Sequence, residues 1–161
     1  MSQYSTRKVE LKRFYLPYRI YFITTVTQNK EPIFNSKQNI EILLEAFSLY
    51  RGKYNYKIIA YVILPTHFHW LIIPSEKADI SIIMKSVKGY TAKKIGRKIW
   101  QHQFLDHCLR TTEDYKNHID YIHNNPVKHG LVDEPSDYIW SSFRNYYLDD
   151  NSVFKIDKII L

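Results

Sequence analysis

The sequence predicts an α+β domain in which an antiparallel sheet carries helices packed on one face. Three observations predict it. Stretches rich in β-branched and aromatic residues alternate with stretches whose apolar residues recur at three-and-four spacing. Two strand-like stretches meet at Pro65-Thr66 and so form a hairpin, an antiparallel unit. Finally, 161 residues with 45% hydrophobic content suffice for one core and are too few for two ordinary domains.

Residues 1–13 are polar and mixed in charge, without periodicity, and read as a flexible arm. Residues 19–28, Arg-Ile-Tyr-Phe-Ile-Thr-Thr-Val-Thr-Gln, read as the first strand. Pro32 and Asn35 are loop residues, and Ser36 caps a helix that carries Ile40, Leu43, Leu44 and Phe47 and ends near Gly52. Residues 54–64 and 67–73 are the hairpin strands, and Pro74 stops the second. A helix over residues 79–99 places Ile80, Ile83, Met84 and Val87 on one side, with Gly89 and Gly96 weakening or bending it. Residues 103–110 alternate as a fourth strand. Thr111 or Thr112 caps a last long helix that carries Tyr115, Ile119 and Ile122 and stops near Asn124, because Pro126 restricts the residue before it. A turn at Lys128-His129-Gly130 leads to an aromatic segment with Trp140, Phe143, Tyr146 and Tyr147, and residues 148–161 form a C-terminal tail. The order β-α-β-β-α-β, followed by a helix, is the ferredoxin-like (RRM-like) arrangement.

The 23 Lys and Arg against 16 Asp and Glu give a net charge of +7, which favours a polyanionic partner. With 14 Tyr, 8 Phe and 3 Trp, unpaired bases have faces to stack on, although most aromatics fill cores. Cys108 is the only cysteine, so a disulfide framework and a Cys-based zinc site are both excluded within the chain. Neither a signal peptide nor a membrane-length apolar run is present, and a cytoplasmic, nucleoid-associated protein is expected.

His67 and His69 flank Phe68 on a predicted strand. Residues two apart on a strand share a face and lie about 6.6 Å apart, so the two imidazoles can converge on one ion and leave coordination positions open for a phosphate oxygen. His-x-His alone is equally compatible with a turn cap and a polar niche. The His-x-Glu and Cys-x-x-Cys of a zinc deaminase and the His-Glu-x-x-His of a zincin are absent. Further along, Tyr121 and Asn125 are four apart and share a helix face beside the apolar stripe. A tyrosine there can attack a phosphodiester and conserve the bond energy as a phosphotyrosine. Taken singly, Tyr121 is one of many packing tyrosines, and Asn125 is equally a helix-ending residue.

Together these segments resemble a known family. Residues 62–70, Val-Ile-Leu-Pro-Thr-His-Phe-His-Trp, are similar to the strand–Pro–HUH segment of the single-tyrosine HUH transposases, and within them of the REP-associated tyrosine transposases. Residues 121–132, Tyr-Ile-His-Asn-Asn-Pro-Val-Lys-His-Gly-Leu-Val, and residues 138–142, Tyr-Ile-Trp-Ser-Ser, resemble later motifs of that family in the right order. The resemblance implies metal-dependent cleavage and transfer of single-stranded DNA near palindromic hairpins, through a 5′-phosphotyrosine intermediate. It implies Mg²⁺ or Mn²⁺ held by His67 and His69, with Tyr121 as nucleophile. Relatives commonly carry a Gln ligand four residues after the tyrosine; here Asn125 is one methylene shorter, and His123 or water are alternatives. Lys85, Lys88, Lys93, Lys94, Arg97, Lys98 and Arg110 become candidates for phosphate contacts, as distinct from a solvated helix face, and Trp140 and Phe143 for base stacking or core packing. Relatives are monomers or homodimers. The competing expectation is a hairpin-binding module that cuts little or nothing, without the aromatic signature of RNA-recognition domains.

Overall fold

The computed structural model describes residues 14–159, so the arm expected over residues 1–13 lies outside the described residues. β1 (Tyr21–Val26), β2 (Lys57–Leu64), β3 (His67–Ile73) and β4 (Leu105–Cys108) form one sheet in the order β2-β3-β1-β4. Every neighbouring pair is antiparallel, which is the ferredoxin-like arrangement.

Alternation along the strands sorts side chains into two layers. On one face, Ile23, Tyr61, Ile63, Phe68, Trp70 and Ile72 pack against α1 (Lys37–Tyr54) and α2 (Ile80–Ile95). Phe47 of α1 stacks on Trp70 with ring centroids 4.3 Å apart, both fully buried, and each such burial contributes about 1.5–3 kcal/mol. The two helices of the repeat therefore share a face, as expected. α3 (Thr112–Lys128) lies on the other face, where Tyr115, Ile119 and Ile122 cover Val62, Leu64 and Leu71. His67 and His69 point toward this second layer, and Phe68 and Trp70 away from it.

The helix ends follow local chemistry. Ser36 and Asp79 cap α1 and α2 by accepting from the backbone N–H of Asn39 and Ile82. α1 runs two residues past Gly52 and stops at Asn55, which is left-handed at φ 54°. α2 stops at Ile95, not at residue 99, because Gly96 takes the left-handed conformation at φ 92°. The freed Ile99 and Trp100 fold back into the core, and the Trp100 indole donates to Thr91 Oγ1 at 2.9 Å. Thr111 caps α3 by accepting from Asp114 N–H at 3.0 Å.

α3 does not stop at Asn124; it continues through Pro126 to Lys128. One helical hydrogen bond is lost at the proline, but Pro126 is buried, and the end beyond it is closed by a Schellman motif. Leu131 N–H bonds Pro126 C=O and Gly130 N–H bonds Val127 C=O, each at 2.9 Å, with Gly130 left-handed at φ 70°. Asn125 thus sits inside the helix, on the turn after Tyr121.

The segment after α3 closes the free edge of β2. Ile63 N–H donates to Trp140 C=O and Ser142 N–H to Tyr61 C=O, both at 2.9 Å, and Ser142 Oγ accepts from Tyr61 N–H at 3.0 Å. The Tyr138 hydroxyl donates to Ile63 C=O at 2.6 Å, and that of Tyr146, in α4 (Phe143–Tyr147), to Ile59 C=O at 2.7 Å. The described part of the tail adds Phe154 and Ile156 to the core, and Asp157 bonds Ile58 beside a register shift in β2.

Candidate active site

Strand pairing places Thr24 opposite His69 and Val26 opposite His67. Thr24 Oγ1 lies 2.7 Å from His69 Nδ1, and Thr66 Oγ1 lies 2.9 Å from His67 Nδ1. With both Nδ1 atoms engaged by hydroxyls, each imidazole has Nε2 left as its ligand atom, and the rings lie 4.8 Å apart at their centroids. Burial, with the nearby His129 and Lys30, lowers the His67 pKa to about 4. Burial, with His67, His129 and Lys128, lowers that of His69 to about 3. Both rings are neutral at physiological pH, the protonation state a metal ligand needs.

Tyr121 reaches this pair from α3. Its ring lies 5.3 Å from that of His69 and is 40% exposed, so the phenol is open to a substrate. The Lys128 ammonium sits 5.4 Å from the centroid of the Tyr121 ring. Phe22 supports the group from beneath, stacked on His69 at 5.4 Å and edge-on to Tyr121 at 5.9 Å. Thr24, Val26, Lys30, Thr66, Lys128 and His129, with His67, His69 and Tyr121, line an open cleft of about 480 Å³.

The second layer also holds an electrostatic anomaly. His69 Nε2 and both side-chain polar atoms of Asn125 are buried without a hydrogen-bond partner among the described residues. A buried amide with neither end satisfied costs about 1–3 kcal/mol for each polar atom, so such groups normally mark a ligand, an ion or water. The orphaned atoms of Thr25, Tyr61 and Trp70 belong to the opposite layer, and the orphaned His123 Nδ1 lies on α3 away from the cleft. The two neutral imidazoles of the cleft are donors that could hold a divalent ion; Asn125 is buried on α3 and is not among the residues lining the cleft.

Other expectations fare differently. His123 does not reach the cleft: its Nε2 lies 2.8 Å from Ser142 Oγ, and its ring packs among Phe143, Tyr146 and Tyr147, because it occupies the opposite side of α3 from Tyr121. Lys88 is internally engaged, donating to the carbonyls of Gln101 and His102 at 2.8 and 3.2 Å. Arg97 pairs with Glu31 at 2.8 Å. Lys85, Lys93, Lys94 and Lys98 are exposed on or just beyond α2, in the layer away from the cleft, and Arg110 is exposed just before α3. Phe143 packs on Tyr147 and Trp140 against the core. Among the described residues, the cations that do line the cleft are Lys30 and Lys128, beside the imidazole of His129. The signal for Lys128 was present, since it stands seven residues after Tyr121 and hence on the same helix face.

A ferredoxin-like sheet with a His-x-His strand and a helix-borne tyrosine facing one cleft defines the single-tyrosine HUH class. A family model described as "Transposase IS200 like" matches residues 17–125. The chain is 34% identical over 136 residues to the REP-associated tyrosine transposase of Escherichia coli (strain K12), covering 83% of this chain and 82% of that protein. A solved structure described as the REP-associated tyrosine transposase bound to a REP hairpin superposes with a TM-score of 0.78 at 31% identity, covering 94% of this chain and 98% of that one. The chain belongs to the IS200-like transposase family, on its REP-associated tyrosine transposase branch. It is an enzyme of the tyrosine-nucleophile type, and among its described residues no helix is long and apolar enough to cross a membrane.

Proposed function

We propose that this transposase cuts and rejoins single-stranded DNA beside a REP-type hairpin, with Tyr121 as its nucleophile. The observation that carries this reading is the meeting of Tyr121 with His67 and His69 in one cleft, from segments more than fifty residues apart in sequence.

The phenol oxygen of Tyr121 attacks the scissile phosphorus, loses its proton, and forms a 5′-phosphotyrosine as the 3′-oxygen leaves as a hydroxyl. The reverse attack by a 3′-hydroxyl rejoins DNA and frees the tyrosine. Lys128, beside the Tyr121 ring, holds phosphate oxygens with Lys30. His67, His69 and Asn125 would hold a divalent ion, Mg²⁺ or Mn²⁺, whose contribution is to offset charge developing on the phosphate. The orphaned His69 Nε2 and Asn125 amide support that assignment. Arg110, exposed just before α3 and outside the cleft, would contact phosphates only of a strand that runs on along α3 toward its start. Lys85, Lys93, Lys94 and Lys98 would serve only a hairpin stem that passes round to the α2 layer. Action on DNA would place the protein with the nucleoid in the cytoplasm.

The test is covalent adduct formation on a hairpin oligonucleotide with a single-stranded flank. The adduct should form with Mn²⁺, disappear with chelator, and disappear in Tyr121→Phe. An adduct that persists in Tyr121→Phe would assign the nucleophile elsewhere, and metal-indifferent binding without any adduct would favour a non-cutting hairpin binder.

A further inference from the structure

Away from the His67–His69 pair, a second cluster joins β4 to the first turn of α3. His107 Nε2 lies 3.1 Å from Asp114 Oδ2, and His118 Nδ1 lies 3.1 Å from Asp114 Oδ1 and 2.7 Å from the Asp114 backbone carbonyl oxygen. The two imidazoles stack at 5.3 Å, and one ligand atom from each of the three residues falls within 4.8 Å of the others. We propose that His107, Asp114 and His118 form a second metal site, for a zinc-class ion, that clips edge strand β4 to the helix carrying Tyr121.

The geometry suits the ion. A tetrahedral Zn²⁺ with bonds of about 2.0–2.1 Å sets its ligand atoms about 3.3 Å apart, close to the separations seen here. The side chains would close from within 4.8 Å of one another, and His118 Nδ1 would exchange its bond to the Asp114 carbonyl for the ion. Two imidazoles and a carboxylate prefer Zn²⁺ and its neighbours over Mg²⁺, and a three-ligand set leaves one position for water or an anion. Side-chain exposures of 53% for His107 and 26% for Asp114 give the ion a way in. Desolvation raises the Asp114 carboxyl, but bonds from His107 and Arg110 N–H and the neighbouring histidine charges outweigh it and hold the carboxyl below its ordinary value.

The site is distinct from the cleft already described. Phe22 stands between them, its ring 5.4 Å from His69 and 4.7 Å from His118. Its placement gives it a use. Among the described residues, β4 is a four-residue edge strand paired only with β1, and its residues are largely exposed. A metal bridge from His107 to α3 would hold that edge and the start of the nucleophile helix together. His118 also shares a small apolar hollow with Phe22, Asn117 and Tyr121, so loading would order the flank of Tyr121 without using His67 or His69.

This proposal needs none of the assignments made above for the cleft, and the test separates the two. The full chain carrying His67→Ala and His69→Ala is titrated with Co²⁺ as a spectroscopic stand-in for Zn²⁺. One equivalent should bind with the intense visible absorption of a four-coordinate site, be displaced by Zn²⁺, and raise the melting temperature. Adding His107→Ala or Asp114→Asn should weaken binding by at least about tenfold, the loss seen even for residues that only support metal ligands. Asp114→Asn keeps an acceptor for Arg110 N–H, and His107 is at the surface, so both variants should fold. The proposal is overturned if the double-alanine chain binds no Co²⁺, or if its binding is unchanged by His107→Ala and Asp114→Asn. Failure of the cleft reading would show separately, as lost Mn²⁺ dependence in a chain with His67 and His69 intact.

Discussion

Lowering the pH from 7 to 5 should remove about 4 kcal/mol of folding stability from the metal-free protein. Burial lowers the pKa of His69 to about 3, aided by neighbouring cations, and burial lowers that of His123 to about 4, each from an ordinary 6.5. Between the folded and unfolded values the unfolded chain binds more protons, so stability rises with pH across that window. The contribution is complete above about pH 6.5 and is lost progressively as the pH falls toward the folded values. Integrating from pH 7 to pH 5 gives about 2 kcal/mol for each histidine, a large share of a typical 5–15 kcal/mol total. His67 acts in the same direction, discounted because it is part-exposed. Asp114 and Asp150, whose carboxyls lie below the ordinary 3.8, lose their contribution only at lower pH and do not enter this interval. Urea unfolding at the two pH values, in chelator, measures the difference. In His123→Gln, whose amide can still reach Ser142, the loss should shrink to about 2 kcal/mol. Equal stability at pH 5 and pH 7, or an undiminished loss in His123→Gln, would refute the reasoning.

Three further outcomes follow from the cleft and the sheet edge. Asn125→Ala should raise the Mn²⁺ concentration needed for half-maximal adduct by at least about tenfold, whereas Asn125→Gln should keep it near the parent value; equal behaviour of the two would remove Asn125 from the ligand set. Lys128→Gln should weaken binding of single-stranded DNA and reduce the salt slope by about 0.7, while Lys93→Gln, in the other layer, should leave the slope unchanged in fluorescence-anisotropy titrations. Tyr138→Phe removes the hydroxyl donor to Ile63 C=O and should cost about 1 kcal/mol in urea unfolding without altering adduct formation on the hairpin substrate.

The parts of this molecule legible in its sequence are those set by local periodicity. Alternation in β1 and β3 gave both the strands and the face on which His67 and His69 lie, and the apolar stripes of α1 and α2 predicted the layer they form. Misplaced ends came from competing backbone preferences. Gly96 takes a left-handed φ and ends α2 where its charge pattern runs on, while a buried Pro126 and the Schellman bonds of Gly130 and Leu131 carry α3 past the point where proline alone would stop it. That extension matters for the site. Had α3 ended at Asn124, Asn125 and Lys128 would have left Tyr121's face. In the continuous helix, Tyr121, Asn125 and Lys128 fall at i, i+4 and i+7, so the proposed nucleophile, the buried amide and the cleft cation are aligned by one element. What local pattern does not encode is which long-range surface each charge meets. Lys88 and Arg97 carry the same basic signature as Lys128, yet one closes a loop and the other pairs with Glu31, because the sheet separates most of α2 from the cleft. The Asn-Asn-Pro-Val-Lys-His-Gly segment thus has a mechanical meaning beyond its resemblance: a proline tolerated by burial and a left-handed glycine keep the last turn of α3, with Lys128, in place at the cleft.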